Sequence, residues 1–119
     1  MNTGSKMKDW FHKQKDASVS MVAEKMLQKY LEPYGRLLDF ALDSRQHTAS
    51  IKLLLKGEAD PVTIDIHEYE LVQDPSGIYV TVKRATSSRE WLTVLLRSFL
   101  LGRRLDLPEK YASYAKMLL

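Results

Sequence analysis

Between Leu38 and Val82 the apolar residues return at every second position in four successive runs, a pattern that only β-strands exploit. Leu38, Phe40 and Leu42 make the first run, and Ile51, Leu53 and Leu55 the second. Val62, Ile64 and Ile66 make the third, and Ile78, Val80 and Val82 the fourth. Polar turn segments divide them at Ser44–Thr48, Gly57–Pro61 and Asp74-Pro75-Ser76-Gly77. Connections this short leave no room for a crossover, so the four strands are expected to form an antiparallel meander.

The third run does not keep its phase. Beyond His67 the apolar residues are Tyr69, Leu71 and Val72, displaced by one position from Val62, Ile64 and Ile66. A strand keeps one apolar face across such a slip only by inserting an extra residue, so a bulge and a bend are expected at His67–Glu68.

Helical spacing flanks the strands. Val19, Val22, Ala23, Met26, Leu27 and Tyr30 follow the i, i+3, i+4, i+7 rule, and Pro33 and Gly35 end the segment. A second helix is expected from Ser87, where Glu90 three residues on completes a capping-box pattern. Trp91, Leu92, Leu95, Leu96 and Phe99 read as its core-facing stripe and Gly102 as its C-cap. Pro108 opens a third helix through Tyr111, Tyr114, Ala115 and Leu118. The expected fold is therefore α+β, in the order α-β-β-β-β-α-α with one bent strand. By analogy of architecture alone this is similar to cystatin-like and related curled-sheet folds. Residues 1–15 lack periodicity and are expected to form a loose basic arm before a single domain over residues 16–119. At 119 residues, 45% of them hydrophobic and 28% charged, such a domain needs no disulfide or metal to fold.

The residues that carry enzyme chemistry are not assembled. Without cysteine there is no disulfide, thiolate metal site or thiol nucleophile, a composition that fits a reducing, cytoplasmic setting. His12, His47 and His67 have no mutual spacing that would join two of them on one element, so no metal site is expected. Asp39 and Asp43 share a strand face about 13 Å apart, too far for a glycosidic carboxylate pair. The glycines are scattered singly, and no phosphate loop or nucleophile elbow is present. No cofactor is expected. No apolar run reaches the ~18 residues of a membrane span, and no apolar leader follows the basic start.

Two surface features remain. Every charged residue from Glu58 to Asp74 is acidic, whereas Lys83, Arg84, Arg89, Arg97, Arg103 and Arg104 oppose Glu90 alone. The basic cluster lacks interleaved aromatics, which argues against nucleic acid. The second helix also carries more apolar residues than one face needs: Val94, Leu100 and Leu101 project off the assigned stripe. Val94, Arg97, Leu100, Leu101, Arg103 and Arg104 are accordingly the candidate interface, and the expected function is a non-catalytic binding or assembly module, self-associating as a homo-oligomer, a dimer first. One alternative is a carrier of a small apolar or lipid-like ligand, with Met26, His67, Tyr69 and Trp91 as pocket candidates. Another is binding to an anionic membrane surface through the basic, aromatic arm (Lys6, Lys8, Trp10, Phe11, Lys13 and Lys15).

Overall fold

The computed structural model describes residues 19–116, apart from the side chain of Tyr114. The expected arm lies outside this range, as do Met117, Leu118 and Leu119. Helix α1 occupies residues 19–31. It is followed by β1 (Gly35–Asp43), β2 (Thr48–Leu55), β3 (Val62–Asp74), β4 (Gly77–Ser87), α2 (Glu90–Phe99), β5 (Arg104–Asp106) and α3 (Glu109–Ala115). The strands form one antiparallel sheet in the order β1-β2-β3-β4-β5. The α+β class and the meander are as the sequence implies. The sheet has five strands instead of four, because Arg104–Asp106 returns along β4 opposite Tyr79–Thr81. Three residues are too few to show a period, which is why β5 left no trace in the alternation.

One face of the sheet carries the core. Leu37, Leu53, Val62 and Leu92 are buried together, with Leu27, Leu31, Phe40, Ile51, Leu55 and Ile64 packed around them. Because α1 supplies Leu27 and Leu31 and α2 supplies Leu92, both helices lie on this same face. Tyr69, Ile78, Val82 and Ala85 are buried further along the sheet. Fully burying an aliphatic side chain contributes about 1.5–3 kcal/mol, so this cluster is what fixes the two helices. On α1 the helical face is rotated slightly from the expected one: Tyr30 is exposed and Leu31 turns inward.

Three irregularities let the strands hold the apolar face. The first is in β1, where the register shifts between Leu37 and Asp39. The expectation that Leu38 points inward is corrected here: Leu37 is 5% exposed and Leu38 37%. The second is the expected bulge of β3, with register shifts from Ile66 to Glu68 and from Glu68 to Tyr69. The third faces it in β4, where Arg84 pairs with Glu68 but Val82 already pairs with Tyr69. Inserting a residue in both strands moves both by one phase together, so Tyr69 and Val82 stay inward on one side of the bulge and Ile66 and Ala85 on the other.

The turn after β1 locks onto this bend. Asp43 Oδ1 accepts from the Arg45 and Gln46 amides, and His47 takes a left-handed φ of 56°. The Tyr69 amide then donates to the His47 carbonyl at 3.1 Å. His47 Nδ1 lies 3.2 Å from the Tyr69 carbonyl, and the two rings stack at 5.4 Å. A carbonyl only accepts, so Nδ1 carries the proton in this arrangement.

Candidate binding surfaces

The charge asymmetry of the sequence resolves into the two arms of a hairpin. Glu68 pairs with Arg84 at 3.2 Å and Glu70 with Lys83 at 3.6 Å across β3 and β4. At the hairpin tip Asp74 Oδ1 accepts from Ser76 N, Ser76 Oγ and Gly77 N, at 2.9, 2.6 and 3.1 Å. The hydrogen bonds from Ser76, helped by the Arg104 charge, hold the Asp74 carboxyl below the usual carboxylate range. Arg104 bonds Asp74 at 2.9 Å, Asp106 at 2.7 Å and Ser76 Oγ at 2.9 Å, and lies 4.1 Å above the Tyr79 ring. This candidate interface arginine is engaged inside the molecule, where it fastens β5 to the hairpin.

The pocket candidates do not converge. Tyr69 is buried at the bulge, 7% exposed. Met26 is half-buried on α1, and Trp91 stands 52% exposed on α2. His67 is exposed, with Nε2 2.7 Å from Thr86 Oγ1. A surface groove of about 280 Å³ touches His67, Asp65, Asp43 and Thr48, but is lined by none of the other three candidates. Among the described residues no cluster of His, Asp and Glu has the makings of a metal site. None of their helices is long and apolar enough to cross a membrane.

Helix α2 departs most from the sequence reading. Its expected capping box is absent: Arg89 is the N-cap and gives no side-chain cap bond. Ser87 closes β4 instead, its Oγ accepting from the Arg89 amide at 3.1 Å and its own amide donating to Thr93 Oγ1 at 2.8 Å. The expected core stripe is also corrected. Leu92 is buried at 8%, but Trp91, Leu95 and Phe99 are 52%, 46% and 64% exposed. Val94 joins them at 55%, whereas Leu96, Leu100 and Leu101 are half-buried.

At about 100° per residue, Trp91, Leu95 and Phe99 span an arc of only ~80°, and Leu92 and Leu96 lie beside it, turned toward the sheet. The helix therefore has two apolar faces, and the larger, aromatic one points away from the sheet. Gly102 explains how the helix is aimed: with φ at +79° it reverses the chain and donates its amide to the Val82 carbonyl at 3.0 Å. Periodicity alone could not rank the two faces, since both satisfy the i, i+4 rule. Arg97 and Glu90 border the outward face, both exposed. Arg103, past the helix end, is exposed as well.

No family model, no curated protein and no solved structure matches this chain.

Proposed function

We propose that this chain is a non-catalytic binding and assembly module of the cytoplasm that self-associates through the outward face of α2. The observation that carries the reading is the exposed stripe Trp91, Val94, Leu95 and Phe99. Side chains of these sizes, about half exposed, present on the order of 400 Å² of apolar surface, comparable with the largest patch on a typical monomer. Aromatic residues and arginine are the types enriched at protein interfaces, and Arg97 borders the stripe. The cytoplasmic setting is supported by the cysteine-free composition. The likeness to cystatin-like sheets carries no part of the reading, because architecture does not fix function.

Two such stripes face to face would bury ~800 Å², less than the 1,200–2,000 Å² of a standard interface, so the association is expected to be of micromolar strength. Sedimentation equilibrium of the unmutated chain from about 1 to 100 µM, the range that such an affinity implies, tests it. The expected mass rises from 13.7 kDa toward a multiple of it. A constant 13.7 kDa across the range overturns the reading.

A further inference from the structure

β1 is the outermost strand of the sheet, and among the described residues no strand pairs with its outer edge. The Lys56 amide donates to the Tyr34 carbonyl at 2.8 Å, just before Gly35 meets Leu55 and Arg36 meets Leu54. Hydrogen-bonded pairs alternate along an antiparallel ladder, so Arg36 bonds to β2 while the amides and carbonyls of Gly35 and Leu37 point outward. Further along, the edge is closed. The register shifts between Leu37 and Asp39, and Asp39 Oδ1 accepts from the Phe40 amide at 2.9 Å. The open stretch faces a groove of about 480 Å³, bordered by Gly35, Arg36 and Leu37 on one side and by Lys25, Lys29 and Glu32 on the other.

We infer that this groove takes an extended acidic segment of a partner protein, which adds to the sheet as a strand beside Gly35–Leu37. An added strand sits about 4.8 Å from β1 and exchanges backbone hydrogen bonds with Gly35 and Leu37, while its side chains alternate between the two faces. Cations stand on both sides of its path. Lys25 and Lys29 belong to α1, which packs on the core face, and the Arg36 side chain leaves β1 on the face opposite the buried Leu37. Lys25, Lys29 and Arg36 are exposed, and among the described residues none of them forms an ion pair. Glu32 alone opposes them in the groove, so charge selects an acidic partner. A second copy does not fit this description. Its acidic stretch lies mostly in β3, paired on both sides, and joining two β1 edges would set two basic grooves against each other. A nucleic acid would satisfy the cations but has no regular row of N–H groups for the Gly35 and Leu37 carbonyls.

The probe is a fluorescein-labelled peptide of alternating glutamate and valine, about eight residues long, an ordinary strand length. Its anisotropy should saturate with the unmutated chain and equally with Leu95→Glu, because the outward face of α2 takes no part. On binding, the amides of Gly35 and Leu37 should exchange hydrogen more slowly, while that of Arg36, already bonded to β2, should not change. Lys25→Glu combined with Lys29→Glu, both at exposed positions and with folding checked by circular dichroism, should weaken the peptide roughly tenfold or more. The same peptide with every backbone amide methylated keeps its charge and loses its donors, and should not bind. No saturation by about 1 mM peptide, slowed exchange elsewhere than at Gly35 and Leu37, or equal binding of the methylated peptide overturns the strand addition. Tighter binding of a thymidine oligonucleotide than of the peptide, lost in the same lysine variant, also overturns it and makes nucleic acid the occupant.

Discussion

Leu92 and Leu95 are one helical turn apart on α2, yet truncating them should have very different consequences. Leu92 is 8% exposed and packs with Leu37, Leu53 and Val62, whereas Leu95 is 46% exposed on the outward face. Leu92→Ala removes three buried carbons and leaves a cavity beneath the helix, at a cost of about 2–5 kcal/mol. Leu95→Ala removes carbons that are half in water already, and the loss from the isolated chain should be under ~1 kcal/mol. For a domain of this size 1 kcal/mol shifts Tm by roughly 4 °C, so the two variants should separate by several degrees or more. The assay is urea unfolding followed by far-UV circular dichroism at submicromolar protein, where association contributes nothing. A lower midpoint with an unchanged slope is expected for Leu92→Ala and almost no shift for Leu95→Ala. Equal losses at the two positions would show that the outward face of α2 is packed in the monomer and would refute the two-faced reading of this helix.

Three further outcomes follow from the sheet. A Cβ on Gly35 would run into the backbone of Leu54 and come 2.9 Å from the Leu55 Cα, so Gly35→Ala must push β1 off β2 at their first pair. A loss of about 1–3 kcal/mol in urea unfolding is expected, and an unchanged midpoint would contradict the register. Asp74 has its folded carboxyl held low, so its contribution is complete above the ordinary carboxylate range and is lost as pH falls below that range, through the lowered folded value. Thermal unfolding at pH 6 and pH 3 should therefore show a smaller acid-induced drop for Asp74→Asn than for the unmutated chain, and parallel drops would contradict this. Replacing Arg104 by Ala cuts its links to Asp74, Asp106, Ser76 and Tyr79. The amides at positions 104 and 105 should then exchange hydrogen faster while those of β2 do not, and uniform protection in both strands would refute the role given to the arginine.

The sheet was legible in the sequence wherever apolar residues kept a spacing of two, as Ile51, Leu53 and Leu55 do throughout β2. Each bulge corresponds to a spacing of three between successive inward residues: Leu37 to Phe40, Ile66 to Tyr69, and Val82 to Ala85. The second was recognisable because long alternating runs flank it on both sides. The first was hidden by Leu38, which supplies an apolar residue in the wrong phase, and the third by Ala85, too small to count as an anchor. The binding surface was half legible. The surplus of apolar residues on α2 was visible, and Val94 and Arg97 were placed on the outer side. The helical spacing of Trp91, Leu92, Leu95, Leu96 and Phe99 reads as a single inward stripe, and it is the docking of Leu92 with Leu53 and Val62 that decides which way the helix faces. Arg104 and its neighbour Leu105 were beyond reach because their partners are set by a three-residue strand.

The oligomeric state of Leu95→Glu beside that of the unmutated chain tests self-association through α2 most directly. The substitution puts an unpaired carboxylate into the middle of the apolar stripe, and burying it against a second copy typically costs several kcal/mol and thus more than a hundredfold in affinity. At 46% exposure, the same side chain remains accommodated by water in the monomer. Sedimentation velocity at about 50 µM, above the affinity expected of so small an interface, should show a dimer for the unmutated chain and a folded 13.7 kDa monomer with unchanged circular dichroism for Leu95→Glu. Identical sedimentation of the two proteins, both folded, would contradict the claim that the outward face of α2 is where this chain binds.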